Sequence, residues 1–216
     1  MSTNHVSQSN QSNQSKAIYL CERVNDVESS WGRLASVSLS EVETGGAVNE
    51  ETVVKACWDD AALHVRFDCV DTHVVSSFVN RNDPIYEQDV VEVFIDESGM
   101  GMNYIEIEVS PNNVLFEANI TCKHRNLPRE INVDLNEGEQ WLTTNVEANE
   151  QRRVYTLSIP YHIFSEPPTV GTEWRVNLYR IDESKEGVKE YQAWSPTGYV
   201  DYHVPGRFGT FRFVQR

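Results

Sequence analysis

Basic residues are scarce in this chain: 18 Lys and Arg stand against 33 Asp and Glu, for a formal net charge of −15. A nucleic-acid surface needs clustered Lys and Arg to displace counterions from phosphate, and no such cluster is present. The same negative charge would be repelled by an anionic membrane surface. We therefore expect no nucleic-acid partner and no membrane partner. Solubility is the simplest explanation of the charge, and carboxylates facing a neutral polyol or a cation are the functional alternative.

Long apolar runs are also missing, and no segment is apolar enough to span a bilayer. Residues 1–16 are mostly Ser, Asn and Gln with one Val, and they lack the apolar stretch of a secretory signal. We expect a disordered polar tail over residues 1–16. As written, the sequence predicts a cytoplasmic protein, while secretion by another route stays open.

Paired cysteine motifs are absent as well. None of the four cysteines belongs to a Cys-x-x-Cys pair, so neither a zinc site nor a redox motif is predicted. In a protein that is not secreted, free thiols are expected. The six histidines are scattered, and no Ser-His-Asp, Cys-His or metal-hydrolase signature occurs. The sequence therefore does not predict an enzyme, although its many carboxylates leave a glycosidase pair open.

What the chain does contain is alternation of apolar and polar residues, the pattern of half-buried strands. The alternating segments, separated by turn-forming residues, are 52–58, 63–69, 90–95, 104–109, 114–120, 141–147, 154–159, 174–179 and 209–214. A short helical turn is predicted near residues 25–33, with Asp26 as its cap and Trp31 as an anchor in the core. We predict an all-β fold, an antiparallel jelly-roll-like β-sandwich of two sheets, formed by residues 17–216 as one domain.

A series of motifs lies on these strands and the loops between them. In chain order they are Trp58–Asp60, Tyr86–Asp96, Tyr104–Pro111, Arg175–Asp182, Trp194–Thr197 and His203–Gly209. Each motif is short, but their order resembles that of the family 9 carbohydrate-binding modules and the related sugar- or haem-binding sandwich domains. The resemblance spans nearly the whole chain, from Ala17 to Val214. A haem is not indicated, because no His is paired with Met100 or Met102 as a second axial ligand.

The resemblance implies a sugar ring held between two loop aromatics, which fall on Tyr86 and Tyr202. The best-known similar modules have tryptophan at both positions, so stacking on tyrosine should be weaker. Glu92 corresponds to a carboxylate that binds sugar hydroxyls, while Glu106 stands where sugar binders can carry Arg. The family pattern also places three further residues near the binding face: Asn177, Arg180 and Trp194. For Arg180, a buried ion pair with Glu92 or Glu106 is an equal alternative, and for Trp194 a place in the core is favoured.

The function implied by the resemblance is non-catalytic binding of an oligosaccharide or polysaccharide, with no cofactor required. One structural calcium is an open alternative, on acidic residues that also suit local turn hydrogen bonds. These residues are Asp59, Asp60, Asp71, Asp89, Asp96 and Glu97. Two other functions stay open: a structural or protein-interaction β-sandwich that has lost sugar binding, and an enzyme acting on a glycan.

Overall fold

The structure is a computed structural model, described here for residues 17–127 and 130–216. The predicted tail over residues 1–16 lies outside the described residues. One short helix, α1 (Val27–Ser30), accompanies fourteen strands. The strands are β1 (Ile18–Arg23), β2 (Val37–Ser38), β3 (Ser40–Glu41), β4 (Thr52–Trp58), β5 (Ala62–Val70), β6 (Val90–Asp96), β7 (Asn103–Val109), β8 (Leu115–Cys122), β9 (Ile131–Leu135), β10 (Thr143–Ala148), β11 (Arg152–Pro160), β12 (Glu173–Glu183), β13 (Lys189–Ala193) and β14 (Gly209–Val214).

The main strands form one hydrogen-bonded path in the order β10-β11-β5-β4-β1-β14-β12-β6-β7-β8-β9. The path folds back on itself, so its two halves face each other across a central core. Phe67 and Leu157 enter this central core from one half, and Val93, Ile107 and Leu178 enter it from the other. This arrangement confirms the predicted all-β sandwich.

The two halves are joined by an N-terminal strand that the alternation pattern did not single out. β1 pairs in parallel with both β4 and β14, whereas the other strand pairs of the main path are antiparallel. Alternation indicates which side of a strand is buried, but it carries no information on the direction of the neighbouring strand. Parallel pairing was therefore not predictable from the residue pattern.

The half of the sheet that contains β6 and β7 is buried on both sides. Val91, Val93 and Ile95 point into the central core, while Val90 and Phe94 join a second apolar cluster on the opposite side. We call this second group the outer cluster, and all seven residues of β6 are buried between the two. A half-buried strand was predicted here. The difference arises because loops from distant parts of the chain cover the outer side.

Local predictions for the helix and the cysteines are confirmed. The Asp26 carboxylate accepts a hydrogen bond from the Ser29 backbone N–H at 3.4 Å, and Trp31 is buried directly after α1. All four cysteines are free and buried. Among the described residues, no helix is long and apolar enough to cross a membrane.

Candidate functional site

A cavity of about 720 Å³ lies on the outer side of β6, β7 and β8, beside the outer cluster. We call it the outer cavity. Its apolar wall includes Phe116 from β8 and three residues of β9, which are Ile131, Val133 and Leu135. Because the β9 residues are two apart, they all face the same side of the strand. The cavity is therefore lined by apolar side chains along the length of β9.

Three glutamates lie next to this apolar wall, on the same face of the sheet, because Glu108 is the cross-strand partner of Phe116. Glu92 of β6 is paired directly across the sheet with Glu108 of β7, and Glu106 is two residues from Glu108 on the same strand. Residues that are cross-strand partners or two apart lie on one face of a sheet. Each glutamate places one carboxylate oxygen within 4.8 Å of the corresponding oxygens of the other two. The fold thus gathers three carboxylates on one wall of the cavity.

These glutamates are withdrawn from water and poorly paired. Glu92 and Glu108 are 1% and 0% exposed. Outside the cluster, no group in the described residues hydrogen-bonds Glu92 Oε1 or either carboxylate oxygen of Glu108, although a proton on one carboxyl links Glu106 and Glu108. Buried polar atoms in native structures nearly always have a partner, so these three atoms are exceptions that call for an explanation.

Burial also changes the acidity of the three side chains. It raises the pKa of Glu92 and of Glu108 well above the ordinary value, and the neighbouring glutamates raise both further. Burial raises the pKa of Glu106 to about 7. An isolated carboxylate in a dry site is costly, so the proton is retained to higher pH. Near neutral pH the wall therefore carries carboxyl groups that can donate as well as accept hydrogen bonds.

No Lys or Arg lines the outer cavity among the described residues. The nearest titratable nitrogen is on His203, whose Nε2 lies 3.9 Å from Glu106 Oε1 and whose Nδ1 lies 2.8 Å from the Tyr104 hydroxyl. Burial lowers the pKa of His203, which favours the neutral ring. The three glutamates therefore have no cationic partner from the protein in this cavity.

The two predicted aromatics both line the outer cavity, but they differ in exposure. Tyr86 is 45% exposed and packs edge-to-face on Phe116, with ring centroids 5.7 Å apart. Tyr202 is only 7% exposed and stacks on Tyr179 at 4.0 Å. The Tyr202 hydroxyl donates to the Arg180 carbonyl at 2.7 Å, which fixes its ring. One tyrosine is thus an exposed wall at the mouth, and the other is part of the packed interior.

Asn177, Arg180 and Trp194 do not line the outer cavity. Asn177 binds the backbone of Ser195 twice: its Nδ2 donates to the Ser195 carbonyl at 2.8 Å, and its Oδ1 accepts from the Ser195 N–H at 2.9 Å. Trp194 belongs to the central core, and a Cβ at Gly209 would come within 2.3 Å of its ring. These contacts give both side chains a structural role, which was the favoured alternative for Trp194.

Arg180 forms its ion pairs away from Glu92 and Glu106. Its guanidinium hydrogen-bonds the Asp182 carboxylate, lies 3.6 Å from a Glu50 carboxylate oxygen and donates to Thr52 Oγ1 at 3.1 Å. The predicted alternative of a buried ion pair was correct in kind, but the partners differ. Alternation along β12 explains this. Arg180 is two residues from Leu178, so its side chain faces the side of the central core and not the outer cavity.

A second acidic cluster holds Glu50, Asp71 and Asp182, whose oxygens also lie within 4.8 Å of one another. Here the protein supplies the positive charge through Arg180, and Arg153 Nε donates to Asp71 Oδ2 at 2.8 Å. Both clusters gather three carboxylates, and in this second cluster arginine side chains compensate their charge.

Two of the six acidic residues considered for calcium, Asp59 and Asp96, accept local hydrogen bonds in turns. Asp59 Oδ1 accepts from the backbone N–H groups of Ala61 and Ala62, and Asp96 accepts from those of Gly99 and Gly101. Asp side chains commonly form such hydrogen bonds with backbone N–H groups in turns.

Sequence reasoning missed Glu108, Phe116 and the apolar residues of β9 as parts of the site. Glu108 could have been found, because it shares the alternation of Tyr104 and Glu106 within one motif. The β9 contribution had no clear signal, since Ile131–Leu135 is short and its side chains are mostly exposed.

Solved structures of a family 9 carbohydrate-binding module from Caldicellulosiruptor kristjanssonii share this fold. The complex with cellotriose has a TM-score of 0.69 and 16% identity, and the match covers 92% of this chain and 94% of that chain. The complex with glucose has a TM-score of 0.66 and 18% identity, and the match covers 93% and 97%. At such low identity the likeness shows the fold alone.

Sequence comparison gives two further matches. A protein from Arthroderma benhamiae described as "Extracellular protein" is 25% identical over 175 residues, covering 76% of this chain and 79% of the relative. The family model described as "Carbohydrate family 9 binding domain-like" matches residues 25–216, which is most of the chain. This protein belongs to the carbohydrate family 9 binding domain-like family.

Proposed function

We propose that the protein binds an oligosaccharide, without chemical conversion, in the outer cavity. The observation that carries this proposal is the mixed lining, in which aromatic and aliphatic side chains adjoin clustered carboxyl groups on one face of the sheet. A pyranose ring has the matching surface, because its C–H faces are apolar and its rim carries hydroxyls. A cavity of about 720 Å³ is within the usual range for small organic ligands.

Tyr86 is the side chain best placed to stack on a sugar ring. Its ring is exposed at the cavity mouth and is held edge-on by Phe116, so one face stays free for a ligand. Tyr202 would contact the ligand with the small part of its ring that reaches the cavity, while Tyr179 and its own hydroxyl bond keep it fixed. A sugar ring would thus contact an exposed, adaptable Tyr86 and a rigidly packed Tyr202.

Membership of the family and the fold it shares with a module solved with cellotriose and glucose support this function. Family membership also favours binding over catalysis, since the matched family is one of binding domains.

Glycoside hydrolysis is the competing function, because the cavity contains several carboxyl groups. A hydrolase places two carboxyls on opposite sides of the bond to be cleaved, ~5–10 Å apart. Glu92, Glu106 and Glu108 instead lie side by side on one face of β6 and β7, within 4.8 Å of one another. This arrangement favours binding of a ligand group over attack on it from two sides.

The test is isothermal titration calorimetry with a panel of soluble oligosaccharides that includes glucose and cellotriose. Tyr86→Ala should weaken binding about tenfold, because an aromatic wall contributes ~1–2 kcal/mol of contact energy. Tyr199→Ala is the matched control, since Tyr199 is similarly exposed but does not line the outer cavity. Equal affinity in the two variants would contradict the role of Tyr86. A panel without any binding would contradict the function.

A further inference from the structure

The outer cavity holds three buried glutamates that retain protons, because burial raises their pKa and no cation from the described part of the chain stabilises their charged forms. Glu92, Glu106 and Glu108 face one small region, and three of their oxygens have no hydrogen-bond partner outside the cluster in the described residues. All three side chains are buried, and no Lys or Arg reaches them. A ligand group that satisfies several carboxylates at once must be a hydrogen-bond donor, and a positive charge strengthens each of those bonds.

We propose that the preferred ligand of the outer cavity is an amino sugar whose protonated primary amine lies between Glu92, Glu106 and Glu108. The inference rests on the proposed function, since it specifies which sugar the same cavity selects.

The spacing of the oxygens suits an ammonium group. Charge-assisted N–H···O bonds are ~2.8 Å long, so three acceptors around one tetrahedral nitrogen are about 4.6 Å apart. One oxygen from each glutamate lies within 4.8 Å of the other two. An ammonium has three N–H donors, one for each carboxylate. The oxygen separations therefore allow one ammonium group to donate a hydrogen bond to each of the three carboxylates.

The same chain shows how such a cluster is neutralised when the protein provides the cation. Glu50, Asp71 and Asp182 also have oxygens within 4.8 Å of one another, and the Arg180 guanidinium contacts two of these residues. The outer cavity has the carboxylates of that arrangement without the cation. A ligand nitrogen would therefore complete it in the way that Arg180 completes the other cluster.

The rest of the lining favours an organic cation over a bare metal ion. Calcium takes six to eight oxygen ligands, and magnesium needs near-octahedral oxygen coordination. Beyond the glutamates the lining includes Asn82 and Asp201, which carry side-chain oxygens. Much of it, however, consists of Phe116, Val133 and Leu135, which offer no oxygen to a metal ion. The carbon skeleton of an amino sugar suits those walls, while its hydroxyls reach the open side near Asp201.

The experiment compares three β-1,4-linked trisaccharides that differ only at one position of each ring: the glucosamine trimer, its N-acetylated form and cellotriose. Titration calorimetry at pH 6 keeps the amine charged, and repeating it in two buffers of different ionisation enthalpy counts the protons that the glutamates release when the ammonium binds. We expect the glucosamine trimer to bind at least tenfold more tightly than either of the others. In Glu108→Gln and in Glu92→Gln this preference should be lost, because the affinity for the glucosamine trimer should fall at least tenfold further than the affinity for cellotriose. Glu166→Gln, an exposed site distant in the sequence, serves as the control.

The possible outcomes distinguish failure of the amine preference from failure of the proposed oligosaccharide binding. Equal or tighter binding of cellotriose would overturn the amine preference and leave the proposed function intact. An amine preference that survives both glutamate substitutions would overturn the assigned site. Saturable binding of calcium or magnesium alone, abolished by Glu108→Gln, would show that the cluster is a metal site and would overturn the inference. Failure of all three sugars, together with a blank oligosaccharide panel, would remove the proposed function as well.

Discussion

Replacing Glu106 with Gln should make the protein more stable at alkaline pH and leave it nearly unchanged near pH 4.5. Burial raises the pKa of Glu106 from 4.5 to about 7, so the folded protein holds a proton that the unfolded chain releases. The protonated form is favoured by folding, and its contribution is fully present below pH 4.5. That contribution is lost progressively as the pH rises to 7, where the folded protein also ionises.

The size of the effect follows from the pKa difference. One pKa unit corresponds to 1.36 kcal/mol, so a rise from 4.5 to about 7 corresponds to roughly 3 kcal/mol. Glutamine keeps the shape of a protonated glutamate and cannot ionise. The difference in free energy of unfolding between Glu106→Gln and the unmodified protein should therefore grow from about zero at pH 4.5 to roughly 3 kcal/mol above pH 7, and then remain constant.

Urea denaturation at several pH values between 4.5 and 8 measures this difference directly. The comparison between variant and parent cancels changes common to both, such as repulsion among the chain's many surface carboxylates. Glu166→Gln, at an exposed position, should show no such growth with pH. A difference that does not depend on pH, or one that shrinks as the pH rises, would refute the assignment of a proton-holding Glu106.

Three further predictions follow from contacts elsewhere in the fold. Gly209→Ala should destabilise the protein by ~1–3 kcal/mol in urea denaturation, because the added Cβ would come within 2.3 Å of the Trp194 ring. Gly32→Ala is the control, since an added Cβ there would have no atom within 4 Å. Equal destabilisation by the two substitutions would contradict the close packing at Gly209. Arg180→Ala should cost ~3–5 kcal/mol in the same assay by leaving Asp182 buried without its ion-pair partner, and a cost below 1 kcal/mol would show that water replaces the guanidinium. The four buried cysteines should react with a thiol reagent only after unfolding, and rapid labelling of any one in the native protein would contradict its burial.

Much of the strand pattern was predictable because alternation is local. The segment predicted as 52–58 is β4, and the segment predicted as 63–69 lies within β5. β1 and β9 were not predicted as strands. β1 depends on pairing with β14, which lies nearly two hundred residues away, and β9 is an exposed strand of five residues. Both strands are stabilised by pairing with other strands, which the local residue pattern does not indicate.

The site was partly predictable, for the same reason. Tyr86, Tyr202, Glu92 and Glu106 were all identified from motif order, and all four line the outer cavity. Whether they are buried could not be deduced, because Glu92 is covered by the outer cluster and loops distant in sequence.

The side of the sheet that Arg180 faces could be predicted from alternation, although motif order placed the residue near the binding face. It shares the alternation of Val176 and Leu178, both of which face the central core. That parity alone predicts a side chain directed away from Glu92, which faces the outer side. A family motif therefore identifies which strand carries the functional residues, and alternation decides which of its residues can reach the ligand.

The cost of three buried glutamates explains why this site is informative about its ligand. Unpartnered carboxyl groups destabilise a fold, and substitution of a buried charged group by an apolar or neutral one is often neutral or stabilising. The buried carboxylates of Asp71 and Asp182 differ, because Arg153 and Arg180 pair with them. Stability is therefore reduced locally, where the three glutamates face the outer cavity without such partners among the described residues. A ligand with positively charged donors would recover that free energy on binding, and a neutral sugar would recover only part of it. The amine preference and the alkaline stabilisation by Glu106→Gln are thus two consequences of one feature, the absence of a protein cation beside these glutamates.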